Sequence, residues 1–156
     1  MLAEDVGRLL RSRKETLATA ESCTGGKVGD MITDVSGSSD YFLGGLVSYS
    51  NESKVKLLGV KSGTLSAKGA VSEEVALQMA RGVRKRMGAT YGIGITGIAG
   101  PTGGSRAKPV GLVYISIASA RRGIVERRVF RGSRASVKKA AARRSLEMLI
   151  EFVNAE

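Results

Sequence analysis

The stretch from Thr16 to Val35 reads as a strand that passes through a crowded turn into a helix. Thr16 to Ala20 is a short β-stretch. Val28, Met31, Ile32 and Val35 then recur at the i, i+3, i+4, i+7 spacing of an amphipathic helix. Between them, Glu21-Ser22-Cys23-Thr24-Gly25-Gly26 crowds a carboxylate, two hydroxyls, a thiol and two glycines into six residues. A strand that turns directly into a helix belongs to α/β architecture, and it exposes the first helical N–H groups, which lack intrahelical partners. Such donors can seat an anion or the oxyanion of an acyl transfer. The plainer alternative is an ordinary helix start, with Ser22 or Thr24 as N-cap and the glycines relieving the turn.

The remaining chain continues the alternation. A first helix spans about Leu2 to Lys14, with Leu2, Val6, Leu9 and Leu10 on one face. Ser36 to Ser39 is loop by composition, and Tyr41 to Ser48 is a β-stretch interrupted by Gly44-Gly45. A short helix opens at Ser50-Asn51-Glu52 and closes at Gly59. Ser66 to Ala70 reads as loop, and Ser72 caps a helix that ends at Gly88. Tyr91 to Thr96 is a strand that enters a Gly/Pro-rich loop from Gly97 to Pro109. Val110 to Ala118 and Ile124 to Phe130 form a hairpin about Arg121-Arg122-Gly123, and a last helix spans Ser133 to about Val153. The pattern predicts α/β layers around a mixed, partly parallel sheet. At 156 residues, with no repeat or linker, the chain reads as a single domain, 1–156.

Composition narrows the chemistry. There is no histidine and only one cysteine, so no disulfide can close within the chain and His/Cys metal sites are excluded. Ser-His-Asp and Cys-His catalysis are excluded with them. A covalent hydrolase built from this chain would need Lys, Tyr, a carboxylate or the N-terminal amine as base. No apolar run reaches the roughly 18 residues of a membrane span, and Glu4, Asp5 and Arg8 break any signal-peptide pattern. The expectation is a cytoplasmic protein without a membrane partner. The net charge is +11. Arg121, Arg122, Arg127, Arg128, Arg131, Arg134, Lys138, Lys139, Arg143 and Arg144 face only Glu126 over their own span. That basic C-terminal face could track nucleic-acid phosphates. Aromatic residues are scarce, however, and no nucleic-acid module is recognisable, so an anionic small molecule accounts for the charge as well.

Two nucleotide motifs fail on inspection. Gly25-Gly26-Lys27 is followed by Val28 where a P-loop needs Ser or Thr. Gly92-Ile93-Gly94-Ile95-Thr96-Gly97 lies along a strand and leads to Pro101 and further glycines, not to a helix. Gly97 to Gly104 nonetheless leaves the end of a strand, where ligands of α/β sheets bind, and Arg106 or Lys108 could meet an anionic group. In Val47-Ser48-Tyr49-Ser50-Asn51-Glu52-Ser53-Lys54, the helix start turns the chain back, so Lys54 can share a cleft with Tyr49. With histidine absent, Lys54 is the best base for Ser22, as a Ser–Lys pair. Bringing a lysine of ordinary pKa, about 10.4, to neutrality costs roughly 4 kcal/mol, which burial and surrounding positive charge must supply. Cys23 is the rival nucleophile beside the same N–H groups.

Three stretches, taken in order, closely resemble the CinA C-terminal domain family, the nicotinamide mononucleotide deamidases. The first is Thr19-Ala-Glu-Ser-Cys-Thr-Gly-Gly26. The second is Gly37-Ser-Ser39 with Val47-Ser-Tyr-Ser-Asn51, Lys54 and Leu58-Gly-Val60. The third is Gly94-Ile-Thr-Gly-Ile-Ala-Gly-Pro101 with Lys108-Pro-Val-Gly111. The resemblance implies a three-layer α/β/α sandwich and hydrolysis of the carboxamide of nicotinamide mononucleotide to the carboxylate and ammonia, with no metal or other cofactor. It implies Ser22 as nucleophile, Lys54 as base and Tyr49 as an orienting or relaying hydroxyl. Glu21, Cys23, Thr24, Gly25 and Gly26, with Ser39, Thr96, Gly97, Ala99 and Gly100, would shape the substrate site, and Arg106 or Lys108 would hold the phosphate. The expected partner is a small-molecule nucleotide, with a homo-oligomer left open and nucleic acid the lesser reading. Many relatives carry a further N-terminal domain, so the chain reads as a stand-alone form. Relatives also often carry an acid between the glycine and arginine aligned with Gly132 and Arg134, where this chain has Ser133.

Overall fold

A computed structural model describes residues Met1–Glu156. Five strands form one sheet in the order β2-β1-β3-β4-β5. They are β1 (Leu17–Glu21), β2 (Phe42–Val47), β3 (Tyr91–Gly97), β4 (Leu112–Ala118) and β5 (Gly123–Val129). β1 pairs in parallel with β2 and β3, while β3–β4 and β4–β5 are antiparallel. The mixed sheet therefore arises from two β-to-helix-to-β passages followed by a meander.

Side-chain alternation along β1 and β3 divides the interior in two. Leu17, Tyr91, Ile93 and Ile95 face α1 (Leu2–Arg13), α2 (Lys27–Thr33) and α6 (Arg134–Asn154), where they meet Val6, Leu10, Val28, Ile32, Leu146, Leu149 and Val153. Ala18 and Ala20 face the other layer, packing with Leu58 of α3 (Asn51–Leu58) and Val75, Met79 and Val83 of α5 (Glu73–Met87). The result is a helix–sheet–helix sandwich. No helix is long and apolar enough to cross a membrane.

The small residues of β3 explain why α5 lies so close to the sheet. A Cβ on Gly92 would fall on the Ala80 carbonyl, and one on Gly94 would fall on the Ala76 carbonyl. The G-x-G spacing thus serves helix-on-strand packing, not phosphate binding.

Two expectations about local structure need correction. Ser62–Lys68 forms a short helix, α4, which takes in Ser66 to Lys68 of the Ser66–Ala70 stretch that composition marks as loop. None of its residues is buried, so it carries no apolar stripe to detect. Its support is Gln78 of α5, which accepts the Lys61 N–H at 2.9 Å and donates to Thr64 Oγ1 at 3.0 Å. The second correction concerns α2, which begins only at Lys27 after Gly26 in a left-handed conformation (φ 106°), so neither Ser22 nor Thr24 is its N-cap.

Candidate active site

The C-terminal ends of the parallel strands β1, β2 and β3 converge on one cleft of about 260 Å³. Ser22 continues β1, its N–H held by the Ile95 carbonyl at 3.0 Å. Ser48, just past β2, is held likewise by the Glu21 carbonyl at 2.8 Å. α3 then starts with Ser50 as N-cap, its hydroxyl accepting the Ser53 N–H at 3.1 Å, and this first turn carries Lys54 back over the strand ends.

Lys54 Nζ lies 3.1 Å from Ser22 Oγ. It also donates to the carbonyls of Ser48 at 2.8 Å and Tyr49 at 3.1 Å. The side chain is 1% exposed, and no carboxylate is among its partners. Burial pushes its pKa below the ordinary lysine value. A neutral amine has two N–H groups and one lone pair. The two carbonyls can take the N–H groups, leaving the lone pair to accept the Ser22 proton. The arrangement suits a base better than it suits an ammonium.

Cys23 is 6% exposed, and burial, followed by the charge of Glu21, pushes its thiol up to about 12. It is a protonated wall residue and a poor nucleophile. The turn itself is held by Glu21. Its Oε1 accepts the Thr24 hydroxyl at 2.6 Å and the Val28 N–H at 3.0 Å, and its Oε2 accepts the Gly29 N–H at 3.1 Å. Glu21 and Thr24 are therefore buried supports behind the turn, with their polar groups committed. Val28 and Gly29 spend their free N–H groups on that carboxylate, while the N–H groups of Cys23, Thr24 and Gly26 donate to no protein acceptor.

Other expected residues divide between the cleft and its surroundings. Thr96, Gly97, Ala99 and Gly100 line it, and the Thr96 hydroxyl donates to the Ala70 carbonyl at 2.9 Å. Tyr49 stands at the rim, 60% exposed, and touches Lys54 through its carbonyl; its phenol is bonded to Arg134 and not to Ser22 or Lys54. Gly25 and Gly26 lie outside the cleft lining, beside Lys138 and Val47 respectively. Ser39 sits in the 3-10 turn (Ser38–Asp40) before β2, at the end of the sheet away from the cleft. Arg106 is exposed in the loop, and Lys108 is tied to the Lys68 carbonyl at 2.6 Å, so neither basic group reaches the cleft.

A model of the CinA C-terminal domain matches residues 1–153. This chain belongs to the CinA C-terminal domain family. It is 53% identical over 150 residues to a putative competence-damage inducible protein of Moorella thermoacetica, covering 96% of this chain and 36% of that one. It is 62% identical over 117 residues to a CinA-like protein of Nostoc punctiforme, covering 75% of this chain and 28% of the relative. The chain thus spans about a third of the length of these curated relatives. Among solved structures, the competence/damage inducible protein CihA of Agrobacterium tumefaciens superposes with a TM-score of 0.91 at 38% identity, over 99% of this chain and 96% of that one. A CinA superfamily protein of Klebsiella pneumoniae superposes with a TM-score of 0.96 at 32% identity, over 99% and 97%.

This CinA-family cleft contains a cation that the sequence reading did not assign to the site. Arg134, first residue of α6, donates from Nη1 to the Gly100 carbonyl at 2.8 Å and from Nη2 to Tyr49 Oη at 3.0 Å. A positive charge in the first turn of a helix works against the macrodipole, and α6 has no acid there to offset it. That mismatch was the available signal. Ser133 is the N-cap of α6, accepting the Ser136 N–H at 3.2 Å. Serine is among the residues that cap best, so Ser133 fills this role by itself.

Proposed function

We propose that this domain is an amidohydrolase that converts nicotinamide mononucleotide to nicotinate mononucleotide and ammonia. The observation that carries the reading is the 3.1 Å contact between Ser22 Oγ and the buried Lys54 Nζ, which has no carboxylate partner. Ser22 Oγ attacks the carboxamide carbon while Lys54 takes its proton. Of the turn's N–H groups without a protein acceptor, that of Cys23, which lines the cleft beside Ser22, is the donor available to the developing oxyanion. Collapse breaks the C–N bond, and Lys54 returns the proton to the departing ammonia. A water, deprotonated by the same amine, then hydrolyses the acyl-serine and releases the carboxylate. Arg134, held at the rim by Gly100 and Tyr49, keeps part of its fork free for the substrate's anionic end. The choice of amide rests on family membership and the resemblance of its motifs, and the catalytic roles rest on the geometry.

Incubation with nicotinamide mononucleotide and measurement of ammonia tests the proposal. Wild type and Cys23→Ser should turn over, whereas Ser22→Ala and Lys54→Met should not. Absence of turnover in wild type, or retention of turnover in both the Ser22 and Lys54 variants, overturns it.

A further inference from the structure

A second depression, about 800 Å³ against about 260 Å³ for the catalytic cleft, lies at the opposite end of the sheet. Its walls are the end of α3, the start of α4, the C-terminal half of α5 and the Ser119-Ala120 turn after β4. Lys61, Arg81, Arg84, Lys85 and Arg86 line it, and no acidic residue does. None of the five forms an ion pair with any carboxylate of the chain. The C-terminal basic run is paired in part. There Arg144 bridges Glu126, Glu147 and Glu151, Arg143 pairs with Glu147, and Arg122 pairs with Glu156. Arg121, Arg127, Arg131, Arg134, Lys138 and Lys139 of that run also pair with no carboxylate, but the groove gathers five unpaired cations into one depression that no acid lines.

Helix electrostatics account for part of this charge, because Arg84, Lys85 and Arg86 occupy the last turn of α5. They do not account for Arg81, a turn earlier, or for Lys61 on the facing wall. The walls are also fixed in place. A Cβ on Gly82 would fall on the Leu58 carbonyl, so α3 and α5 meet at backbone distance. Arg86 is anchored to the Leu57 and Lys56 carbonyls, both at 3.1 Å, without losing its charge. A smaller cleft shares Arg84, Ser119 and Ala120 and extends the tract toward exposed Arg121; its own acids, Glu15 and Glu156, are already paired with Arg13 and Arg122. No aromatic ring lines the groove. The groove thus lacks an aromatic platform for bases, and its cations are suited to phosphates.

We propose that this groove binds the sugar-phosphate backbone of a single nucleic-acid strand without base selectivity. A concave tract with cations on facing walls suits a single strand, where a duplex would need a broader, flatter face. Binding that neutralises about four phosphates gives a log–log salt slope of about −2.8, or roughly 50-fold weaker binding on going from about 50 to about 200 mM salt.

The test is anisotropy of labelled oligonucleotides of about 20 nucleotides, with the full chain, across that salt range. Oligo-dT and mixed sequences should bind equally. Arg81→Ala with Lys85→Ala should weaken binding and reduce the slope by about 1.4. Arg127→Ala with Arg128→Ala should leave both unchanged, as should thermal unfolding of either variant. Three results overturn the proposal: no strand binding at low salt, loss of binding only in the Arg127/Arg128 variant, or complete displacement by tripolyphosphate at equal phosphate concentration. The last would mark a small-anion site. None of these readouts depends on amidase activity.

Discussion

Replacing Lys54 with Met separates a catalytic lysine from a merely buried one through the pH dependence of stability. In the folded chain burial lowers the pKa of Lys54, whereas in the unfolded chain it returns to about 10.4. Below both values both states are protonated, and the folded state bears the full cost of the enclosed ammonium. Between them the unfolded chain holds a proton that the folded chain has released, so stability rises with pH by about 1.36 kcal/mol per pH unit. Above about 10.4 the cost is gone. Lys54→Met lacks this titration. It leaves the Ser48 and Tyr49 carbonyls without their donor, at about 1–3 kcal/mol each, but that offset does not vary with pH. The wild-type-minus-variant stability should therefore be flat, then climb at that slope, then level off. Urea unfolding of both proteins at closely spaced pH values up to about 11.5, roughly one unit above the free lysine pKa, measures it, and titrations common to both cancel. The lower break reports the folded pKa of Lys54, and it should coincide with the acid limb of kcat/KM. A difference that stays flat throughout means that Lys54 titrates as a free lysine does, and the base assignment fails.

Arg134→Ala removes the common anchor of the Gly100 carbonyl and the Tyr49 phenol while relieving a cation at a helix N-terminus, worth about 0.3–1 kcal/mol. Thermal unfolding should shift by only a few degrees while turnover falls about tenfold or more, and Arg134→Lys, which keeps the charge but not the fork, should not restore it. Gly94→Ala places a methyl against the Ala76 carbonyl and 2.6 Å from the Ala80 nitrogen, so urea unfolding should show a loss of about 1–3 kcal/mol or more.

The α/β class was legible because the helical stripe at Val28 and Ile32 and the cap-and-stop pairs Ser50/Gly59 and Ser72/Gly88 are local signals, and the structure keeps both pairs. α4 was not legible, because its support comes from Gln78, a residue in another helix. The site divides in the same way. Ser22 and Lys54 meet because a strand end and a helix start are each fixed within a few residues. Which groups bind an anion depends on how distant segments fold back. Lys108 is diverted to the end of α4, Ser39 falls at the wrong end of β2, and Arg134 arrives from a helix that begins 112 positions after Ser22.

Glu21 and Ser22 are neighbours in sequence, yet a carboxylate beside Lys54 would hold the amine protonated and disable it. The period-two alternation of β1 prevents this. Glu21 points into the α2 layer, where the Thr24 hydroxyl and the Val28 and Gly29 N–H groups occupy it, while Ser22 turns toward α3. The same reasoning says what should happen if a carboxylate is admitted. Asn51 lines the cleft one helical turn before Lys54, and Asn51→Asp is isosteric. An acid in the first turn of α3 complements the helix dipole, so the fold should hold or gain a few tenths of a kcal/mol. The new charge should nevertheless raise the pKa of Lys54 and move the acid limb of kcat/KM to higher pH, by about half to one pH unit at low salt and less at high salt. A loss of rate with the limb unmoved would mean that Asn51 acts through substrate contact, and that the absence of a counter-charge is not what keeps Lys54 available as a base.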